Sequence, residues 1–381
     1  MTQSPRSPHR ETIYLVGTSG HPNFGDEFIT ACWLQFLANV RPQADVWLDC
    51  PVPGQAAHFF DGMHPRARFT DTLWRLIWDT AQMEREEADR LIDHRVAHLG
   101  TPRYDIGLQA ARHATTIHIL GGGYINAIWP HHVGLMRAAQ ALREETGARL
   151  AATGLGLMPA PGDSTLLDAL KVFDHVGSRD RQTAELVGAP VGADDAFLNV
   201  ARMKPAPATD EPGDVYVCLQ SDMSDHTVFE SAVEALRTTL TSPAMEGRTL
   251  RYVEGIPGID HAAYERLSDI IPRENFVPFL GLWEQEFPAR PGQIWLTSRF
   301  HLHLLAAASG AEGVAIEVST DYYRVKHESL IEAGTGWSVA KAGATELPAP
   351  ALDPGFPQKA KALAQDKWRE AQEVYPRTRG R

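Results

Sequence analysis

Strand-like and helix-like segments alternate along this chain in two separate series, and that alternation restricts its fold more than any other feature. The first series opens with the apolar residues 13–17 (IYLVG), a glycine-containing loop and a helical segment that starts at Asp26. The second restarts at residues 215–220, beyond a stretch rich in Pro, Ala and acidic residues at 204–214. Strands separated by helices pair in parallel and carry helices on both faces. The pattern predicts an α/β protein with two Rossmann-like domains that face a cleft.

The length of the chain agrees with this division, because 381 residues exceed what one ordinary hydrophobic core supports. We predict a disordered leader over residues 1–10, an N-terminal domain over 11–203, a linker over 204–214 and a C-terminal domain over 215–346. Residues 347–381 are predicted to form a Pro-rich connection and a final helix that can fold back onto the first domain.

Composition narrows the class of protein. Acidic residues number 48 against 36 basic ones, and the resulting net charge of −12 argues against a nucleic-acid partner. The three cysteines, Cys32, Cys50 and Cys218, are widely spaced and form neither a disulfide framework nor a zinc motif. The polar N-terminus (MTQSPRSPHR) lacks the apolar segment of a signal peptide, and no run of about 18 apolar residues follows it. We therefore expect a cytoplasmic protein.

The strongest candidate site is the stretch 297–310 (TSRFHLHLLAAASG). It follows the buried-strand pattern of residues 293–297, and Ser298 is a good N-cap for the helical pattern that comes next. Arg299 and His301 then fall in the first turn, where strand ends and helix N-termini bind anions. The alternative is a structural strand–helix joint in which the Arg and the His are incidental.

Two histidines in this stretch compete for a chemical role. His301 and His303 are two residues apart, which separates them by roughly 200° around a helix, so they cannot share a target. His301 lies in the first turn near the strand end and is the candidate acid/base. His303 is predicted to be a packing residue.

The first half of the chain offers weaker signals. The strand at residues 116–120 ends in a triple glycine, which permits close approach by a ligand or by another backbone segment. The charged stretch 73–98 is predicted to be a long covering helix, with a mobile lid as the alternative. No GxGxxG motif is present, so a dinucleotide cofactor is not indicated. The adjacent Asp194 and Asp195 have no metal-ligand spacing, and we predict no metal.

Several short segments follow one another in a recognisable order: NFGDE at 23–27, GGGYIN at 121–126, SRD at 178–180 with Thr183, DDAF at 194–197, SRFH at 298–301 and DYYRVK at 321–326. Together they resemble the polysaccharide pyruvyl transferase family, and the resemblance spans about residues 13–334. The resemblance implies a fold of the glycosyltransferase B type. It also implies transfer of a unit derived from phosphoenolpyruvate (PEP) to two sugar hydroxyls, leaving a cyclic pyruvate ketal.

PEP carries a phosphate and a carboxylate, so its site needs several cations or N–H groups within a small volume. We predict that the donor is bound by Arg299, Lys326, Arg179 and Ser298. A structural ion pair between Arg179 and the adjacent Asp180 is an equal alternative. We expect Lys326 to open a helix after a strand end. The alternative is that Lys326 is a solvated surface residue.

Ketal formation needs a proton delivered to the PEP methylene carbon and protons removed from the attacking hydroxyls. The predicted catalytic residues are His301 and Asp26, although Asp26 also suits a simple helix cap. A stacking or core role is open for Tyr124. The residues predicted to bind the acceptor are Asn23, Glu27, Gly122, Gly123 and Tyr124.

Two other functions remain open at this stage. A nucleotide-sugar-dependent glycosyltransferase of the same fold would need a diphosphate loop, for which residues 254–258 (EGIPG) are the nearest candidate. A catalytically inactive sugar- or anion-binding relative is the other. For the transferase we expect PEP as a substrate and no cofactor. We also expect a lipid- or nucleotide-linked sugar acceptor, and peripheral membrane association through a lipid-linked one.

Overall fold

The computed structural model describes residues 10–162, 164–200, 213–319 and 322–376. The predicted leader apart from Arg10, and the predicted linker apart from its last two residues, lie outside this range. The chain divides into two compact units. Unit 1 comprises Met1–His21, Asp26–Asp195 and Arg369–Arg381, and unit 2 comprises Pro22–Gly25 and Ala196–Trp368.

Unit 1 is built on a parallel sheet of six strands within the described residues, in the order β3-β2-β1-β4-β5-β6. Its central strand is buried over all five residues, as expected for a parallel sheet covered on both faces. The elements from the first strand to the last helix before unit 2 are β1 (Thr12–Val16), α1 (Phe24–Val40), β2 (Asp45–Asp49), α2 (Pro53–Phe59), β3 (Ala67–Thr70), α3 (Thr72–Asp79), α4 (Arg85–Ala97), α5 (Asp105–Arg112), β4 (Thr116–Ile119), α6 (Gly134–Thr146), β5 (Arg149–Leu155), α7 (Thr165–Leu170), β6 (His175–Ser178) and α8 (Arg181–Val187).

Unit 2 repeats the plan with a second parallel sheet, in the order β12-β11-β10-β7-β8-β9. Its elements are α9 (Phe197–Val200), β7 (Val215–Cys218), α10 (His226–Leu240), β8 (Leu250–Val253), α11 (His261–Leu267), β9 (Phe276–Val277), α12 (Phe279–Glu284), β10 (Ile294–Thr297), α13 (Phe300–Ala308), β11 (Glu312–Ile316), α14 (Tyr322–Glu332) and β12 (Ser338–Ala340). The last helix, α15 (Phe356–Val374), belongs to unit 2 as far as Trp368 and to unit 1 from Arg369. None of the described helices is both long and apolar enough to cross a membrane.

Each sheet reverses its strand order at one place, and ligands of open α/β sheets bind beside such a switch point at the strands' carboxyl ends. In unit 1 the reversal lies between β1 and β4, where the chain continues into the Gly-rich segment 121–126. In unit 2 it lies between β7 and β10, and β10 leads directly into Ser298 and Arg299. The predicted fold class of two Rossmann-like domains is therefore confirmed.

The prediction of one long helix over residues 73–98 is wrong, because α3 ends at Asp79 and α4 starts at Arg85. The hydroxyl of Thr80 bonds to the carbonyls of Leu76 and Ile77, which closes the last turn of α3. The sequence also gave no sign of α2, β3 and β12. Strand β3 (ARFT) is only partly buried and has few apolar residues, so it lacks the apolar pattern of a buried strand.

Candidate active site

The strand–helix joint after β10 lies at the switch point of unit 2. The Ser298 hydroxyl accepts a hydrogen bond from the Gln220 N–H (2.9 Å), and the Ser298 N–H donates to the Cys218 carbonyl (3.0 Å). The predicted N-cap role of Ser298 is wrong, since Arg299 occupies the cap and α13 begins at Phe300. The buried Ser298 hydroxyl instead ties the end of β10 to the end of β7.

Arg299 is held in place by a buried carboxylate. Its Nε donates to Asp260 Oδ1 (3.1 Å), its Nη2 donates to the same carboxylate, and Asp222 Oδ1 lies 3.5 Å from Nη2. Asp260 is fully buried and also accepts from the N–H groups of Gly255 (2.9 Å) and Ile256 (2.8 Å). An anion that reaches Arg299 would therefore meet a guanidinium whose orientation is already fixed.

His301 lies against the short segment 22–25, which unit 2 includes. The Phe24 N–H donates to the Gly255 carbonyl (2.9 Å), and the Phe24 ring contacts Trp283 and Phe287, with centroids 6.4 and 5.7 Å away. A Cβ atom at Gly25 would lie 1.9 Å from His301 Nδ1, so only glycine leaves room for the imidazole ring. Two of the motifs predicted from the sequence thus meet inside one unit.

Asn23 shapes this same segment. Its Oδ1 accepts a hydrogen bond from the Gly25 N–H (3.2 Å), which closes a local Asx-type turn. The predicted acceptor-binding residue therefore also positions the glycine that faces His301.

Lys326 lies inside α14, half-buried, and the expectation that it opens a helix is wrong because α14 starts at Tyr322. Its neighbour His327 is fully buried, and His327 Nε2 lies 3.1 Å from the Ser298 carbonyl oxygen. Burial lowers the pKa of His327 to about 4. Asp321, the first residue of the last matching motif, lies outside the described residues.

In unit 1, the Gly-rich end of β4 packs on itself. Gly122 has a φ of +143°, and a Cβ there would meet the Tyr124 ring at 2.9 Å. Tyr124 is 6% exposed and its hydroxyl donates to the Leu120 carbonyl (2.9 Å), so the ring belongs to the core. Gly123 is half-buried beside it.

The two acidic residues at the start of α1 differ in exposure. Glu27 is fully buried, and its Oε1 accepts from the Gly20 N–H (2.8 Å), which fixes the loop that precedes the helix. Asp26 is half-buried, and its Oδ1 would lie 3.9 Å from a Cβ atom at Gly122. The carboxylate at position 26 is therefore the one of this pair that approaches the glycine-rich strand end.

Arg179 belongs to unit 1 and is buried there. Its Nη1 donates to Asp194 Oδ2 (2.9 Å), and a Cβ atom at Gly156 would lie 2.5 Å from its Nε. The alternative partner named from the sequence, Asp180, is wrong, because Asp180 caps α8 by accepting from the Thr183 N–H (2.7 Å). The closeness of Gly156 explains why no larger residue suits that position.

Asp195 organises a buried polar cluster rather than a metal site. Its Oδ2 accepts hydrogen bonds from Trp33 Nε1 (2.7 Å), the Gly121 N–H (2.9 Å) and Thr153 Oγ1 (2.7 Å). Thr153 Oγ1 also lies 2.9 Å from His118 Nε2. Across the described part of the chain, no group of three or more His, Cys, Asp or Glu side chains is arranged to hold a metal ion.

Sequence reasoning missed Asp260, Gln220 and His327. Asp260 follows β8 by a short loop, so the rule that strand ends carry ligand-facing groups was a usable signal for it. Gln220 and His327 gave no such signal, because their roles depend on contacts with Ser298 across the sheet.

Solved structures of other proteins share the fold of this chain. One is a putative UDP-N-acetylglucosamine 2-epimerase from Listeria monocytogenes, with 12% identity, TM-score 0.54, and 97% of this chain and 91% of that chain covered. Another is the UDP-GlcNAc 2-epimerase from Neisseria meningitidis bound to UDP-GlcNAc, with 9% identity, TM-score 0.51, and 96% and 93% covered. At such identities the likeness concerns the fold, which is that of two-domain enzymes of the glycosyltransferase B type.

The family follows from the sequence match. The family model for polysaccharide pyruvyl transferase matches residues 23–320, which include both motifs that meet at Gly25 and His301. The chain belongs to the polysaccharide pyruvyl transferase family. No curated protein sequence matches it significantly.

Proposed function

We propose that this transferase uses PEP as the donor and forms a pyruvate ketal on two hydroxyls of a sugar in a polysaccharide or its precursor. The observation that carries the proposal is the pairing of Arg299 with buried Asp260 beside His301, at the switch point of the unit 2 sheet. An oriented guanidinium suits the phosphate and carboxylate of PEP, and an imidazole ring can donate and accept protons near neutral pH.

The chemistry balances without a redox step or a cofactor. His301 delivers a proton to the methylene carbon of PEP, which becomes a methyl group, and positive charge develops at the adjacent carbon. One sugar hydroxyl adds to that carbon, the bond to the phosphate oxygen breaks, and the second hydroxyl closes the ketal. The two hydroxyls lose two protons, of which one replaces the proton from His301 and one leaves with inorganic phosphate. Asp26 is the proposed base for a hydroxyl.

The proposed donor residues differ in how they are already engaged. In unit 2, Asp260 already orients the guanidinium of Arg299, and the Ser298 hydroxyl bonds to Gln220. In unit 1, Arg179 is buried against Asp194. We assign the main share of donor binding to Arg299 because its guanidinium is held in a fixed orientation at the end of β10. The proposal also includes a lipid- or nucleotide-linked acceptor, which would bring the protein to a membrane surface in the lipid-linked case, and a cytoplasmic location.

A direct assay tests the proposal. The purified protein is incubated with PEP and a panel of lipid- and nucleotide-linked sugars, and released phosphate is measured together with the mass of the sugar product. We expect acceptor-dependent phosphate release and a product heavier by one pyruvate less one water. Arg299→Gln should raise the KM for PEP. An absence of PEP-dependent release across a broad panel would contradict the proposal.

The glycosyltransferase alternative has less support. In the loop 254–258 the N–H groups of Gly255 and Ile256 donate to Asp260, and the Gly258 N–H donates to Glu254 Oε1 (3.0 Å). These donors are therefore used within the loop and by Asp260 rather than aimed at a diphosphate. Thermal stabilisation by UDP- or GDP-sugars, with none by PEP, would favour this alternative. Binding of PEP without turnover would favour an inactive relative.

A further inference from the structure

Four buried residues of unit 2 form a continuous hydrogen-bonded chain, called here the histidine chain: Thr335, His303, His327 and Ser298. His303 Nε2 lies 3.1 Å from Thr335 Oγ1, His303 Nδ1 lies 3.1 Å from His327 Nδ1, and His327 Nε2 lies 3.1 Å from the Ser298 carbonyl oxygen. All four residues are fully buried. The proposed mechanism uses neither imidazole ring.

The chemistry of these atoms fixes the direction of each hydrogen bond. A carbonyl oxygen only accepts, so His327 Nε2 carries the proton, and the Nδ1 of a neutral ring is then an acceptor. His303 Nδ1 must therefore donate to it, which leaves His303 Nε2 to accept from the Thr335 hydroxyl. Burial keeps both rings neutral by lowering their pKa values, and the charges of Lys326 and Lys341 lower that of His327 further. Only one arrangement of protons satisfies every atom.

Two members of the histidine chain, His327 and Ser298, adjoin two proposed donor-binding residues. His327 directly follows Lys326 on α14, and Ser298 directly precedes Arg299 at the start of α13. The histidine chain therefore joins α14, which carries Lys326, to the backbone of the strand–helix joint, which carries Arg299. The Trp337 ring stacks on His303 at 4.3 Å, which holds the ring between its two partners.

We propose that His327 and His303 are positioning residues that hold the Lys326-bearing helix at a fixed place relative to Arg299, so that both cations reach one donor that carries a phosphate and a carboxylate. This inference rests on the proposed function. Because the histidine chain has a single proton arrangement, it fixes the distance and orientation between α14 and the strand–helix joint. Apolar side chains of the same volume would fix that distance and orientation less narrowly. Loss of the histidine chain should therefore weaken donor binding while α14 remains folded.

Kinetics of three variants test the proposal. His327→Phe keeps a buried ring but loses both hydrogen bonds, and we expect the KM for PEP to rise about tenfold while kcat changes by less than about threefold. His327→Gln can donate to the Ser298 carbonyl and accept from His303, so it should recover part of the loss. The matched control is Leu330→Ala, a buried residue one turn along α14, which should lower Tm and leave the KM unchanged.

A cycle with Lys326→Ala separates positioning from general damage. If His327 acts through Lys326, the KM increases of the two single variants should not multiply in the double variant. Independent, multiplicative effects would overturn the proposal. So would an unchanged KM in folded His327→Phe, or an equal KM increase in Leu330→Ala. If His327→Phe does not fold, Thr335→Val, which removes only the hydroxyl that donates to His303, should raise the KM in the same direction, and an unchanged KM would overturn the proposal.

Backbone amide exchange without any substrate keeps this inference distinct from the proposed function. Thr335→Val or His327→Phe should speed exchange both in α14 and in residues 298–303, whereas Leu330→Ala should affect α14 alone. If the wild-type protein fails to use PEP, the proposed function fails, and the exchange pattern still decides whether the histidine chain couples the two segments. Faster exchange confined to α14 in every variant would overturn the coupling.

Discussion

At the scale of single residues, Gly25 leaves room for the ring of the proposed catalytic residue His301. Its backbone lies so close to the His301 ring that a Cβ atom would stand 1.9 Å from Nδ1. The contact joins the motif at the start of α1 to the motif at the start of α13, and both contacting residues, Gly25 and His301, belong to unit 2. A larger residue at position 25 would displace the His301 ring, so the position of this proposed catalytic ring depends on the glycine.

Gly25→Ala should therefore abolish most activity without unfolding the protein. Alanine is a better helix former than glycine at this position in α1, so the damage should come from displacement of His301. We expect kcat to fall by about a hundredfold, as for other losses of an oriented acid/base, with Tm nearly unchanged.

The matched control is Gly54→Ala in α2, where a Cβ atom would meet nothing within 4 Å. That variant should keep full activity. Wild-type turnover by Gly25→Ala, measured with the phosphate-release assay, would show that the imidazole ring at position 301 need not stay where the structure places it.

Residue type and position along the chain were enough to predict that Arg299 and His301 follow a buried strand, and their role in the site stays a prediction from the strand-end rule. The strand-end rule also offered a signal for the position of Asp260, but not for its contact with Arg299, which depends on the tertiary structure. Residue type and position also could not show that Ser298 and Arg179 use their polar groups on Gln220 and Asp194. Partners distant in sequence require the tertiary structure.

At the scale of secondary structure elements, Asp49 shows that the cap of α3 comes from another element. The nominal N-cap Asp71 makes no capping hydrogen bond, and Asp49 at the end of β2 accepts instead from the N–H groups of Leu73 (2.7 Å) and Trp74 (3.4 Å). A cap supplied from another element leaves no local signature in the sequence. The same carboxylate accepts from the Tyr14 hydroxyl (2.6 Å).

Asp49 should also make stability depend on pH in a defined direction. Burial raises its pKa from 3.8 to about 7 although three donors favour the charged form. Between these values the folded state holds a proton that the unfolded state has lost, so stability falls as pH rises. Asp49→Asn removes this term, and its free energy of unfolding relative to wild type should increase by about 3 kcal/mol from pH 5 to pH 8.

Urea denaturation at the two pH values, followed by tryptophan fluorescence, measures this difference. The chain's Trp74 lies beside Asp49 and provides a local probe. A difference between Asp49→Asn and wild type that is the same at both pH values would contradict the assignment of a raised pKa.

At the scale of the whole molecule, the two series of alternating segments predicted both sheets and the class of fold. Each sheet has its reversal where the sequence showed a polar or glycine-rich strand end, at residues 121–126 and 298–299. The sequence did not predict that Pro22–Gly25 is part of unit 2, because only the contacts of Phe24 with Gly255, Trp283 and Phe287 decide it. The alternation of strands and helices shows only the order of the elements along the chain, whereas packing contacts decide which unit a segment belongs to.

The two units should respond differently to mild acid. In unit 2, burial lowers the pKa values of the His303 and His327 rings. Below pH 6.5, the pKa of histidine in the unfolded state, the unfolded state therefore binds more protons, and the protein loses stability as the pH is lowered. At pH 5 this costs about 2 kcal/mol for each ring that stays neutral in the folded state. In unit 1 burial lowers the pKa of His132 to about 4 and also lowers the pKa values of His64 and His131, but burial raises the pKa values of Asp49 and Asp89, which opposes that loss.

Lowering the pH from 7 to 5 should therefore destabilise unit 2 more than unit 1. Hydrogen exchange followed by mass spectrometry, corrected for the intrinsic pH dependence of exchange, reports the opening free energy of peptides from each unit. We expect the protected strands β7, β10 and β11 to lose protection at pH 5 while β1, β4 and β5 keep most of theirs. In His327→Phe, which has one titrating ring fewer, the loss in unit 2 should be smaller. Equal losses in both units would show that buried imidazoles do not control the acid response.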